Sequence, residues 1–180
     1  MNLSTGRRCV VALVVAAVVS VPTATAASSS CPADMKLVHT VNGTLSRSLA
    51  ISTEQVKLLL QLVQLESTRQ DVPADLLDRL RSLTDQNRKV LVAGEKRLGA
   101  LPPGTPQGRA FKRAALRYLR EAVRPENDCI GRAVDARTLA ELGQSVQCFE
   151  AAKRKDAELQ RVVKAAIDKL KAARRCTIRR

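Results

Sequence analysis

The sequence predicts an all-α fold, an antiparallel up-down-up-down four-helix bundle with long first and last helices, stapled by two disulfides. Three observations predict it. Apolar residues recur at threes and fours along four stretches, aromatic residues make up only 2 % with no Trp, and four cysteines remain beyond the amino-terminal segment. Sheet sandwiches draw on aromatic and β-branched residues, whereas Leu, Ala, Arg, Lys, Gln and Glu favour helix.

Residues 1–26 have the pattern of a signal peptide. Arg7 and Arg8 form a positive start, residues 9–21 are apolar apart from Ser20, and Pro22 precedes the small residues Ala24-Thr25-Ala26 that a signal peptidase accepts. As a helix the apolar run spans roughly 20 Å against a hydrocarbon core of ~30 Å, so an uncleaved anchor is the poorer reading. A lipidated Cys31 is poorer still, because Ser28-Ser29-Ser30 is a weak lipobox, and Gly6 before the arginine pair weakens a twin-arginine match. All these routes lead out of the cytosol, and the expected location is secreted and extracellular. Residues 27–180 then form one domain, long enough to bury a proper core.

The first helical stretch covers about 34–70. Val38, Val41, Leu45 and Leu49 are spaced for one face, and Val56, Leu59, Leu60 and Val63 continue it. Ser52-Thr53-Glu54-Gln55 has the form of a capping box, so the stretch is one long kinked helix or two helices broken near Ile51. Asp71-Val72-Pro73 marks the next start. From there Leu76, Leu80, Leu83, Asn87, Val90, Gly94 and Leu98 step by fours and threes, widened by Leu77 and Leu91. The loop Leu101-Pro102-Pro103-Gly104 leads to Thr105-Pro106, an N-cap followed by proline at the first helical position. Phe111, Ala115, Tyr118 and Ala122 mark the buried face of the third helix, which Pro125 is expected to stop. Thr138-Leu139-Ala140-Glu141 is a second capping box. It opens a last helix whose seam runs through Val146, Phe149, Ala152, Asp156, Leu159, Val163, Ala166, Leu170 and Ala173.

An even number of cysteines in an exported chain implies disulfides. A zinc site would need close pairs, and the intervening spacings are 97, 18 and 27 residues. Cys148 and Cys176 share the last helix, about 42 Å apart, far beyond the ~4.4–6.8 Å that a disulfide allows. Cys129, nine residues before that helix, reaches at most about 31 Å of the ~57 Å to Cys176. This leaves Cys129–Cys148 with Cys31–Cys176, provided the last helix does not fold back near Lys153. The second bond would set the first and last helices antiparallel, as in an up-down-up-down bundle.

The chain holds 31 Lys and Arg against 17 Asp and Glu, a net charge of +14. Such a balance favours anionic partners and carries no information about fold. His39 is the only histidine, no metal site suggests itself, and there is no phosphate loop, nucleophile elbow or zinc-protease motif. Asp75, Asp78 and Asp85 suit pairing with Arg79, Arg81 or Arg88. The expectation is therefore a non-enzymatic binding protein with no cofactor. Asn42-Gly43-Thr44 is a glycosylation sequon set inside a helical stretch.

One feature points to a binding face. Arg109, Arg113, Arg117, Arg120 and Arg124 step by four, four, three and four along the third helix, with Lys112 beside them and Glu121 the only acid. A solvated face normally mixes signs to limit repulsion. The strip suits an anionic polymer or surface, or an acidic extracellular protein. Nucleic acid fits least, because no aromatic residue is interleaved for base stacking. Arg174 and Arg175 complement the carboxyl end of the last helix. The alternative is an amphipathic-helix protein of lipid or membrane surfaces, which the clamp of Cys31–Cys176 would keep from opening. A purely structural spacer is the third.

Overall fold

The computed structural model describes residues 32–68, 73–136 and 139–177; the side chains of 63, 66, 67, 139, 142 and 174–177 lie outside that description. Outside it too fall residues 1–26, expected to be a signal peptide, with Cys31, the side chain of Cys176, and Thr138 of the expected second capping box. Among the described residues the chain is all helix, with no strand. The first helix, α1, runs unbroken over Pro32–Ser67, and α2 over Ala74–Ala100. A third rod comprises α3 (Pro106–Tyr118), a π-helical turn (Leu119–Val123) and α4 (Arg124–Asp135). The last helix, α5, is Leu139–Thr177.

Thr105 caps α3 as its sequence position predicts. Its backbone is extended, its side chain accepts from Gly108 N at 2.9 Å, and Pro106 follows in the first turn. Asp34, fully buried at the start of α1, holds this corner from the other side. Its Oδ1 accepts from Gly104 N at 2.8 Å and its Oδ2 from Thr105 Oγ1 at 2.6 Å. A carboxylate is favoured at a helix N-terminus, where the unpaired N–H groups and the macrodipole point towards it. Gly108 leaves it room, since a Cβ there would collide with the Asp34 carboxylate.

The capping-box reading of Ser52–Gln55 is corrected. Both residues lie within α1, and Gln55 is fully buried. Gln55 Nε2 donates to Thr84 Oγ1 at 3.0 Å and to Asn127 Oδ1 at 3.5 Å, while Asn87 Nδ2 donates to Asn127 Oδ1 at 3.0 Å and to Ser52 Oγ at 3.2 Å. Asn127 Nδ2 in turn donates to the Thr84 carbonyl at 3.1 Å. Tertiary partners of this kind outweigh a local cap signal that no chain break uses.

Nor does Pro125 end the third rod. Proline cannot donate to the carbonyl four residues back, and its ring crowds that carbonyl. The π-turn just before it absorbs the misfit: Arg124 N donates to Leu119 O, five residues back, and the backbone stays helical at Leu119 and Val123. Widened turns of this kind insert one extra residue into an α-helix.

Contacts between successive rods run in opposite order along their lengths. Thr44 meets Gly94 and Gln55 meets Thr84; Lys112 reaches Gly99 while Arg81 reaches Asp135; Cys129 joins Cys148 while Tyr118 meets Gln160. The buried apolar residues form two clusters. The larger holds Leu37, Val41, Leu91, Leu98, Phe111, Tyr118 and Leu159, the smaller Leu58, Leu80, Ile130, Val134 and Phe149. The layer of Ser52, Gln55, Thr84, Asn87 and Asn127 sits between them on every rod that supplies it. The Cys129–Cys148 disulfide, with Cα atoms 5.7 Å apart, belongs to the smaller cluster.

Candidate polyanion-binding face

The six cations of the strip do not share one environment. Lys112 Nζ donates to the carbonyls of Gly99 (2.6 Å) and Leu101 (2.7 Å), closing the carboxyl end of α2 with a positive charge where the macrodipole favours one. Arg117 pairs with Glu121 at 2.9 Å, both side chains about half exposed. Arg120 and Arg124 converge on Glu95 of α2, at 3.1 and 3.4 Å. Arg109 and Arg113 are exposed and make no hydrogen bond or ion pair among the described residues.

Arg124 is out of line for a physical reason. In an unbroken α-helix it would continue the strip, but the extra residue of the π-turn rotates it by roughly 100°. That rotation brings it round to Glu95 beside Arg120. Glu95 is nearly buried, with 10 % of its side chain exposed. Sequence reasoning passed over it, because its place on α2 adjoins the apolar seam and its partners lie on another rod.

Charge divides between the halves of the molecule at the polar layer. Around the larger cluster, segments 32–50, 89–126 and 153–173 carry eighteen Lys and Arg against seven Asp and Glu. Around the smaller one, segments 51–68, 73–88, 127–136 and 139–152 carry five against nine. There Arg81 bridges Asp78 and Asp135, and Arg88 bridges Asp85 and Asp128, as the helical spacing of Asp78 and Asp85 predicts. Both arginines, with Asp85, Asp128 and Asp135, line an open groove of about 790 Å³ between α2, α4 and α5.

Titratable groups also meet where α3 and α4 pack on α5. Gln160 Nε2 donates to Asp156 Oδ2 at 2.8 Å and to the Tyr118 hydroxyl at 3.4 Å. Burial pushes the Tyr118 phenol well up, and the Asp156 carboxylate beside it adds to the shift. Burial likewise raises Glu126, against the opposing pull of Lys153 at 2.8 Å. Lys153 also lies over the Phe149 ring, 5.6 Å from its centroid. Each of these side chains has a partner inside the bundle.

His39 is exposed on α1. The sequon's Thr44 is buried and donates its hydroxyl to the Thr40 carbonyl, with Asn42 half-buried in the same helix. Among the described residues no three His, Cys, Asp or Glu side chains stand close enough to hold a metal ion, and no helix is long and apolar enough to cross a membrane. The sequence matches no protein-family model, no curated protein and no solved structure.

Proposed function

We propose that the protein is an exported, non-catalytic helical bundle that binds a polyanion through the half of the molecule built on its larger core. The observation that carries this reading is the division of charge. Among the described residues nearly all the excess positive charge lies on one side of the polar layer, while acids outnumber bases on the other. Like charges gathered on one surface store repulsion that an anionic partner relieves, and they speed its approach.

The reading includes an up-down-up-down order of the four rods, supported by the opposed contacts between neighbours. It also includes the Cys31–Cys176 bond, which would tie the chain's ends together at the basic end, and cleavage of residues 1–26 on export. A lipid-surface role has less behind it, since the large exposed apolar side chains among the described residues, Leu49, Leu60, Val92 and Val162, are spread over three helices.

The test is the salt needed to elute the oxidised protein from heparin. The control keeps the net charge but moves it: Lys96, Arg109, Arg113 and Lys169 become Gln, while the exposed Gln61, Ser82, Gln86 and Gln147 of the other half become Arg. Markedly later elution of the native protein is expected. Elution together would show that the charge acts only in bulk, and the reading would be abandoned.

A further inference from the structure

The polyanion face has an internal acid at one end. Glu95 is almost out of solvent, and two of the strip's guanidinium groups, on the π-turn and at the start of α4, are turned onto it from the third rod. It occupies the place that a ligand's anionic group would take. At the other end Arg109 and Arg113 have no such partner among the described residues, and the Arg117–Glu121 pair between is about half exposed, of a kind that contributes little and is easily exchanged.

Resting on the polyanion reading, we propose that Glu95 closes the site at its carboxyl-terminal end, so that a sulfated glycan chain is held by Arg109, Arg113 and Arg117 while Arg120 and Arg124 stay committed to Glu95. Three features select the ligand. All three open residues are Arg, whose planar fork fits an oxyanion with two parallel hydrogen bonds, whereas Lys offers a point charge. They follow one another at about 6 Å along the helix axis, which suits a linear chain of charges. The strip offers neither an aromatic surface for bases nor an apolar side chain to enter a bilayer, since Phe111 and Tyr118 face the core. The π-turn is part of the device, because without its extra residue Arg124 would stand in line with the open arginines.

Heparin elution of four variants tests this. E95Q releases two arginines and is expected to elute later than the native protein. Its log affinity should also fall more steeply with log salt, by up to about 1–2, taking the ~0.7–0.9 per contact of phosphate polymers as guide. D75N adds the same unit of charge at an exposed site in the other half and is expected to shift far less. R109Q/R113Q is expected to elute near the control with relocated charge. The triple E95Q/R120Q/R124Q removes the acid together with both of its arginines, lowers the net charge by only one, and is expected to elute close to the native protein.

Equal shifts in E95Q and D75N overturn the proposal, as does a triple variant that elutes as early as R109Q/R113Q. If E95Q does not fold, as judged by helicity and melting, the triple decides alone. A native protein that elutes with the relocated-charge control instead removes the polyanion reading itself. Equal competition by a single-stranded oligonucleotide of matched charge overturns the choice of glycan.

Discussion

Gly94→Ala measures how closely α1 and α2 approach. In a helix interior the exchange by itself favours folding by about 1 kcal/mol, because glycine gives up more backbone freedom. At this site the new Cβ would stand 2.5 Å from Thr44 Oγ1 and 2.9 Å from Thr44 Cβ, and closer again to Cγ2. Thr44 has nowhere to turn. It is buried, its branched side chain is stiff at χ1, and its hydroxyl is bound to the Thr40 carbonyl at 2.8 Å. The helices must therefore move apart, and overpacking of that kind costs about 1–3 kcal/mol. Set against the propensity gain, the variant should lose up to about 2 kcal/mol. Gly43, the residue before Thr44, has nothing within 4 Å of the same added atom. Gly43→Ala should therefore gain about 1 kcal/mol from propensity alone. The assay is urea unfolding of both variants followed by far-UV circular dichroism, with Thr44→Ala/Gly94→Ala as a third. The double variant removes the two closest atoms and should recover part of the loss. Should Gly94→Ala match or exceed Gly43→Ala in stability, the close approach of α1 and α2 is wrong, and so is the packing argued from it.

Further outcomes follow from the corner, the disulfide and the buried acid. Asp34→Ala strips Gly104 N–H and the Thr105 hydroxyl of a buried charged acceptor and should cost about 2–4 kcal/mol in a thermal melt; a loss below ~0.5 kcal/mol would show that the corner does not depend on it. Replacing Cys129 and Cys148 by Ser opens a link across 19 positions and should cost about 3 kcal/mol, while heparin elution stays unchanged because the bond lies in the other half. Glu126 has its folded-state pKa raised by burial, so its contribution to stability is present below the ordinary glutamate range and is lost as pH rises through the raised value. Glu126→Gln stays neutral throughout. Relative to wild type it should thus gain stability as pH climbs across that window, and a difference flat in pH would contradict the burial effect.

What could be read from the chain is what depends on near neighbours. Thr105-Pro106 caps α3 because both the cap and its acceptor geometry are set within four residues. Phe111, Ala115, Tyr118 and Ala122 face the core because none lies beyond the π-turn, after which the register shifts. Cys129–Cys148 followed from the length of the last helix and the short reach of the segment before it. The misreadings have the opposite character. Ser52 and Gln55 carry the letters of a cap, but their partners Asn87 and Asn127 lie 35 and 72 positions away. Pro125 is a helix breaker by rule, and only the register of the whole rod shows that one widened turn accommodates it. Arg124 left the strip for the same reason. Lys112 read as part of a surface charge, yet its ammonium serves the end of another helix. For Pro125 the answer lies in the register of its own rod; in the other cases the deciding partner comes from a different rod, which spacing along one helix cannot reveal.

The two halves of the bundle meet opposite demands. The basic half accumulates like charge, which opposes compaction. It also holds the larger cluster, which includes Phe111 and Tyr118 and has eleven buried residues against seven in the smaller one. Burial stabilises by ~25 cal/mol per Å² of apolar surface removed from water, so the larger core offsets repulsion where repulsion is greatest. The smaller core has less to offset and less to hold it; there mixed-sign pairs across α2 and α4 and the Cys129–Cys148 bond supply constraint instead. Between them the polar layer requires Gln55, Thr84, Asn87 and Asn127 to meet in one register, because a slip of any rod would leave buried amides without partners at ~1–3 kcal/mol each. Gln55 Oε1 and Asn87 Oδ1 already lack partners among the described residues, so the layer's value lies in alignment more than in stability. Alignment is what the closed end of the arginine strip needs, since the reach of Arg120 and Arg124 to Glu95 holds only while α2 and the third rod keep that register.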